Sequence, residues 1–528
     1  MKLKHTLRTV GILLFLMSFS APALAQTDPT VEKIMALAKE SNQTMEHLDV
    51  LVNRIGGRFI GSDAYQQAVN WTSHQLREWG LEVVVEKVGT LNVGFNRGPW
   101  FGRMLDDVHG MQLHFVTPSY TAGTKGRQRG HVLIEPQSQQ EFDRMKGALN
   151  GAWVLISGTS DGRPIDYSHR GDSLREIVVR KNNEIAQRNS VNAQWNRQNP
   201  NAVQRQMEPL EEMPALFYKQ MREAGILGII QSARVPLMAL ADRPNLMNGT
   251  MTWDNLPTVP DIKLSEHQFR IIEQMARERR YFILEFDIRN HFRMGPINHY
   301  NVFAFVRGTD YPDEYIICGG HLDAYDVATG GVDCGTGVAP TMEAARLISK
   351  AMAATGARPK RTIMFALWSG EEAGLLGSKF WVESNPHKWP NIINYFNRDG
   401  GPTVASSITV PSSWFQDMVK IAAPLNTFNP DFPFTVIERV GDPPPRPTRP
   451  GGSDHAYFMI NGVPAISFTT TDPKGYNFSY PEIWHTERDT YDKSIPEYMD
   501  QTSVVNAVIL WGMANTEQRL PNRGVYRD

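Results

Sequence analysis

Apolar positions along the chain keep three different rhythms. Over residues 31–90 the pattern reads helix, turn, helix, strand. Apolar residues recur at helical spacing through Trp71–Trp79, Gly80 marks the stop, and Leu81–Val88 (LEVVVEKV) follows as a strand. The turn between the two helices is Arg54–Asp63 (RIGGRFIGSD). From about residue 115 to 260 short strand-like pieces appear, such as His131–Ile134 and Ala152–Ile156 (AWVLI), and Phe217–Ala233 reads as helix, glycine turn, strand. Residues 170–212 are polar and rich in Arg, Asn and Gln, which predicts either a surface helical excursion or a mobile loop.

From Ile262 strands and helices alternate. Strands are expected at Asn301–Val306, Glu314–Cys318, Thr362–Leu367, Ile392–Phe396 and Pro464–Phe468. Helices are expected at Val338–Ala354, Ala373–Glu383, Ser413–Ile421, Ser453–Ile460 and Met499–Gln518, the first stopped by Gly356 and Pro359. Continuous apolar runs such as TIMFAL suit a sheet covered on both faces. The pattern predicts an α/β domain with a largely parallel sheet flanked by helices. Its expected parts are residues 26–115 and 262–528, with a separate domain inserted at 116–261. There is no internal repeat.

The first 25 residues change the picture. Lys2, Lys4 and Arg8 precede a short apolar run, Val10–Phe19, and Ala23-Leu24-Ala25 closes it with small residues. This is the layout of a secretory signal cleaved after Ala25, and the run is too short to span about 30 Å of hydrocarbon. The expected mature protein has no membrane anchor and is exported to the periplasm or the extracellular space. Cleavage removes three positive charges and no negative ones, so the mature chain is mildly acidic.

Composition adds exclusions. At 528 residues the chain is too long for one ordinary domain. Lys and Arg number 54 against 56 acidic residues, which gives no electrostatic case for nucleic acid. Two cysteines exclude a disulfide scaffold and a cysteine-rich zinc module. Cys318 and Cys334 flank His321, and in an exported protein they are either a disulfide or two buried thiols.

Ligands in such sheets bind beyond the carboxyl ends of the strands. There the chain places Gly319-Gly320-His321-Leu322-Asp323, then a Gly-rich loop with Asp333, then Gly370-Glu371-Glu372, Asp399-Gly400-Gly401 and Trp484-His485-Thr486. Singly, an H-x-D is commonplace, an EE pair is usually a solvated helix start, and DG is a turn. Their recurrence after successive strands points to a metal site. Imidazole and carboxylate without thiolate suit Zn²⁺, with Mn²⁺ or Co²⁺ as substitutes. A carboxylate can bridge two ions. Adjacent Glu371 and Glu372 diverge, so one can bind metal while the other acts as general base.

These residues resemble the dinuclear-zinc exopeptidases, a family that includes bacterial leucyl aminopeptidases and glutamate carboxypeptidases, and within it the carboxypeptidase Q group. NRIGGRFIGSDAYQQAVNW, GGHLDAYDVATGGVDCGTGVA, RPKRTIMFALWSGEEAGLLGS and GGSDHAYFMINGVPAISF carry the likeness over most of the mature chain. ALFYKQMREAGILGIIQSA resembles part of a protease-associated domain. The resemblance implies a zinc-exopeptidase fold with a mixed, largely parallel sheet and an inserted β-rich protease-associated domain. It implies two Zn²⁺ per chain, a peptide substrate and a homodimer. His321, Glu372, Asp399 and His485 would be zinc ligands, Asp333 the bridge, and Glu371 the general base. Asp323 would accept a hydrogen bond from His321, and a cis peptide would follow Asp333.

Two positions depart from the family pattern. Cys334 stands where Asp or Asn is usual, and Trp484 replaces a Tyr whose hydroxyl can stabilise the oxyanion. Trp484, Ser453, Asp454 and Arg449 are candidate substrate contacts. Arg439, Arg446 and Arg449 lie in or beside the Pro-rich loop before Ser453, where one could meet a substrate carboxylate. Cleavage from the amino or the carboxyl end stays open. A glutaminyl-cyclase-like single-zinc acyltransferase shares several ligand positions. An inactive receptor-like homologue would have lost some, and none is lost here.

Overall fold

The computed structural model describes residues 28–106 and 110–527. The signal at Met1–Ala25 lies outside them. Among the described residues no helix is long and apolar enough to cross a membrane.

The central sheet has five strands in the order Glu82–Asn96, His291–Val306, Arg361–Trp368, Tyr311–His321, Ile392–Asn397. The first two pairings are antiparallel and the last two parallel, so the sheet is mixed. Arg361–Trp368 lies in the middle because every residue of RTIMFALW can be buried, and every one is. Its Met364 sits between Phe305 on one neighbour and Ile317 on the other. Helices Gly335–Thr355, Pro496–Ala514 and Pro29–Ser41 pack together against this sheet. The expected helix–turn–helix–strand start is present, with the Ser62 hydroxyl capping helix Asp63–Glu78 at the amide of Tyr65.

Strands Glu82–Asn96 and His291–Val306 form one long ribbon that leads out of this sheet and back. At its far end stands a second, eight-stranded sheet running from Trp100–Leu105 to Ile283–Ile288. Those two strands pair with each other, and Ile283–Ile288 also pairs with Gln128–Ile134. The layer therefore extends beyond 116–261 at both ends. The first and last of its strands in the sequence, WFGRML and ILEFDI, are as apolar as those of the main sheet, so texture did not mark the boundary.

Two other expectations change. Pro464–Phe468 is not a strand. Pro464 has no N–H to give, and the Asn394 side chain takes a neighbouring strand's role by bonding both the N–H and the C=O of Ile466 at 2.8 and 2.9 Å. The strand comes directly after, at Thr469–Thr471, in a small sheet with Val404–Val410 and Thr435–Glu438. Ala373–Glu383 begins instead at Leu376, because Gly370, Gly374 and Leu375 all take positive φ in the preceding turn.

Residues 170–212 contain the helix His169–Gln198, whose 30 residues settle the choice against a loop. The chain then returns along it without regular structure. Asn182, Asn189 and Asn196 each grip the main chain of one residue by both its N–H and its C=O. Their amides give to the carbonyls of Glu211, Glu208 and Arg205 at 2.8–2.9 Å and accept from the same residues' N–H at 2.8 Å. Seven helical residues rise about 10.5 Å and three extended residues about 10 Å, so the two periods match. The residue before each Asn holds the side chain opposite: Lys181 with Glu211, Arg188 with Glu208, and Trp195 beneath Arg205.

Candidate metal centre

His321 ends its strand, Glu371 and Glu372 follow Arg361–Trp368, and Asp399 follows Ile392–Asn397. Asp333 precedes helix Gly335–Thr355, and the Asp333–Cys334 peptide is cis as the resemblance implied. His485 follows the short helical turn Tyr480–Ile483 with φ of 57°, a region non-glycine residues rarely adopt. The second layer braces it there. Ala239 gives its N–H to the carbonyl of His485 at 3.1 Å, and Glu487 gives to that of Leu237 at 3.1 Å. Strained backbone of this kind persists where its surroundings hold it.

The five expected ligands converge in two halves. On one side His321 Nε2 stands 3.1 Å from Asp333 Oδ1 and 3.4 Å from Asp399 Oδ1. On the other, His485 Nε2 stands 3.0 Å from Glu372 Oε2 and 3.6 Å from Asp333 Oδ2. Asp333 thus turns one oxygen to each histidine. One half is His321 and Asp399, the other His485 and Glu372, with Asp333 common to both.

The donor set fits divalent metal. Both oxygens of Glu372 are buried without a hydrogen-bond partner. Buried groups of this kind normally find partners. Burial lifts the Glu371 and Glu372 carboxyls well above the ordinary carboxylate range, and Asp333 adds to the effect at Glu372. A cation relieves such crowding. Burial also lowers His485 to about 4, which keeps its ring in the neutral, metal-binding form. Cys334 comes close to this set, with Sγ grouped beside His321 and Asp399. Its thiol donates to the Arg398 carbonyl at 3.1 Å, and burial pushes it up to about 11, so it stays a thiol. Cys318 and Cys334 are both free.

Asp323 accepts from His321 as expected, through its main chain. His321 Nδ1 meets the main-chain carbonyl of Asp323 at 2.8 Å, while the carboxylate lies 3.8 Å away. That carboxylate accepts instead from the amides of Glu371 and Glu372 at 3.1 and 3.2 Å. The carbonyl fixes the imidazole tautomer, and the side chain fixes the loop that carries the two glutamates.

A cavity of about 1220 Å³ opens between the two layers, and Tyr325, Trp484 and His485 are among its walls. Trp484 is 42 % exposed there and lies over the His485 ring with centroids 4.1 Å apart. Asp454 is buried with neither oxygen bonded, and the Ser453 hydroxyl accepts from Asn397 at 2.8 Å. Arg449 is exposed and is not among the residues lining the cavity, because the Pro-rich loop lies on the surface. Arg439 is held by the carbonyls of Gly524 and Val525.

The cation at the site comes from elsewhere. Arg243 opens the short helix Arg243–Met247 of the second layer, lines the cavity, and stands 3.9 Å from Glu372. Burial works against its charge, but Tyr325 and Glu372 outweigh this and hold its pKa above the usual value. Tyr480 was also missed. Its phenol lies in the field of Asp333, Asp399 and Glu372, which join burial in holding it well above the usual tyrosine range. Nothing in the local sequence marks Arg243. Tyr480 lies only one helical turn before the Trp484 position, where the resemblance led one to look for a Tyr.

Residues 301–509 match the model of peptidase family M28. That segment holds every residue of the two halves and none of the eight-stranded sheet. Over 510 residues the chain is 22 % identical to carboxypeptidase Q of Bos taurus, covering 93 % of this chain and 89 % of the relative. Among solved structures it resembles a peptidase M28 precursor from Shewanella amazonensis, with a TM-score of 0.55, 21 % identity, and coverage of 93 % and 97 %. It also resembles BSAP, a zinc aminopeptidase from Bacillus subtilis, with a TM-score of 0.50, 15 % identity, and coverage of 93 % and 98 %.

Proposed function

We propose that this metallo-exopeptidase, whose residues 301–509 match the model of peptidase family M28, uses two zinc ions to cleave peptides from the carboxyl end. The observation that carries the two-ion reading is the bridge: Asp333 Oδ1 faces His321 and Asp399, while Oδ2 faces His485 and Glu372. Asp333, His321 and Asp399 would hold one ion, and Asp333, His485 and Glu372 the other. When bound, zinc supplies Lewis-acid polarisation of water and of the scissile carbonyl.

The chain's own residues do the rest. Glu371 takes the proton from the attacking water and returns it to the leaving amine. Its pKa, lifted by burial, suits a group that must both accept and release that proton. The Asp323 carboxylate holds the Glu371 amide and so aims the base. Tyr480 keeps its phenolic proton and can donate to the oxygen that gains charge. Arg243 receives the terminal carboxylate of the substrate through its planar fork, and the cavity has room for more than a dipeptide. Trp484 offers a flat apolar wall to a side chain. The signal-like start supports export.

Blocked peptides test the direction. The zinc-loaded enzyme is expected to shorten N-acetylated peptides and to leave C-amidated ones intact. The opposite product pattern would make it an aminopeptidase.

A further inference from the structure

Two buried residues outside the ligand set hold the ligand loops together. Asp489, four residues after His485, is only 5 % exposed. Its Oδ1 accepts from the amide of Val332 at 2.6 Å. The amide of Asp333 is shared between Oδ1 and Oδ2, at 3.5 and 3.3 Å. Its main-chain carbonyl accepts from the amides of Thr329 and Gly331 at 3.2 and 3.3 Å. One residue thus grips four amides of the loop that presents the bridging carboxylate.

Arg58, in the RIGGRFIGSD turn, is fully buried and gives its guanidinium to carbonyls. Nε reaches Leu322, next to His321, at 2.6 Å. Nη1 reaches Thr329 at 3.0 Å and Nη2 reaches Gly330 at 3.3 Å. It ties the His321 end of strand Tyr311–His321 to the same Gly-rich loop. The packing has no slack. A methyl on Gly330 would come within 2.8 Å of Arg58 Nη1, and one on Gly331 within 2.3 Å of the Thr490 carbonyl.

We propose that Asp489 and Arg58 are positioning residues which set the bridging carboxylate between the two histidines, so that the spacing of the metal pair is fixed from outside its ligands. This rests on the two-ion reading above. Asp489 joins the loop of the bridge to the segment carrying His485, and Arg58 joins it to the strand carrying His321. If either clamp loosens, Asp333 no longer spans both halves. The carboxylate matters as such. An amide at position 489 would aim an N–H at the Asp333 N–H while keeping the bond to Val332.

The test compares wild type, Asp489→Asn and Arg58→Lys. Zinc per chain is measured after dialysis against buffered free zinc, together with the absorption spectrum of the cobalt-loaded proteins and the melting temperature of the metal-free ones. The expected result is at least one ion bound about tenfold or more weakly in Asp489→Asn, with an altered cobalt spectrum and an unchanged metal-free melting temperature. Wild-type zinc affinity and an unchanged cobalt spectrum in that variant would overturn the proposal. If Asp489→Asn does not fold, Arg58→Lys decides on the same readouts, since it keeps the charge but cannot reach three carbonyls. A wild type that takes up fewer than two ions would instead remove the two-ion reading itself.

Discussion

Asn182, Asn189 and Asn196 on the long helix of the second layer have both amide atoms bonded to the returning chain. Glu372 at the strand ends has neither oxygen hydrogen-bonded, and neither has the buried Asp454. Glu135 sharpens the contrast. It is a buried carboxylate of the second layer, yet the amides of Ser157 and Leu216 satisfy it at 2.8 and 3.2 Å. These side chains close on main-chain partners and so build structure, although single atoms elsewhere in that layer, such as Arg175 Nε and Tyr167 Oη, stay unbonded. Glu372 instead leaves both carboxylate oxygens unbonded among other acids, at a cost of roughly 1–3 kcal/mol for each buried group. Such a cost persists where a cation removes it. Polarity of sequence alone does not separate the two cases.

Two variants can break this comparison. Tyr480→Phe removes a donor from the candidate metal centre. It should lower kcat by about 10²-fold with little change in KM and none in zinc content, as steady-state kinetics and metal analysis will read. An unchanged kcat would take Tyr480 out of the reaction. Asn189→Ala opens the asparagine ladder. It removes two bonds to Glu208 worth about 1 kcal/mol each, so hydrogen exchange should quicken along the returning chain while activity stays at the wild-type level. Loss of activity there would mean that the long helix serves catalysis and not only its own structure.

Much of the site was legible before the fold. His321, Asp333, Glu371, Glu372 and Asp399 could be read because loops after successive strands must meet at one edge of the sheet, whereas His485 was placed after Pro464–Phe468, which is not a strand, and its role came from the resemblance. Asp323 was read as an acceptor for His321, but sequence does not say that the bond goes to its main-chain carbonyl while its side chain holds the amides of Glu371 and Glu372. Arg243 was illegible. It reaches the cluster from the short helix Arg243–Met247, far from the ligands in sequence, and no local pattern encodes that meeting. The Asn ladder was present in the sequence as a seven-residue spacing, but its meaning depends on a partner chain segment with a three-residue period. The sequence boundaries of the second layer were missed because the first and last of its strands along the chain have the same apolar texture as the main sheet.

The central claim is that the unpaired acids form a metal centre with Glu371 as its base. The most direct measurement is the turnover of Glu371→Gln with its zinc counted on the same sample. The account predicts two zinc ions per chain, as in wild type, and a fall in turnover of about 10²–10⁴-fold. A variant that keeps its zinc and most of its turnover would contradict it.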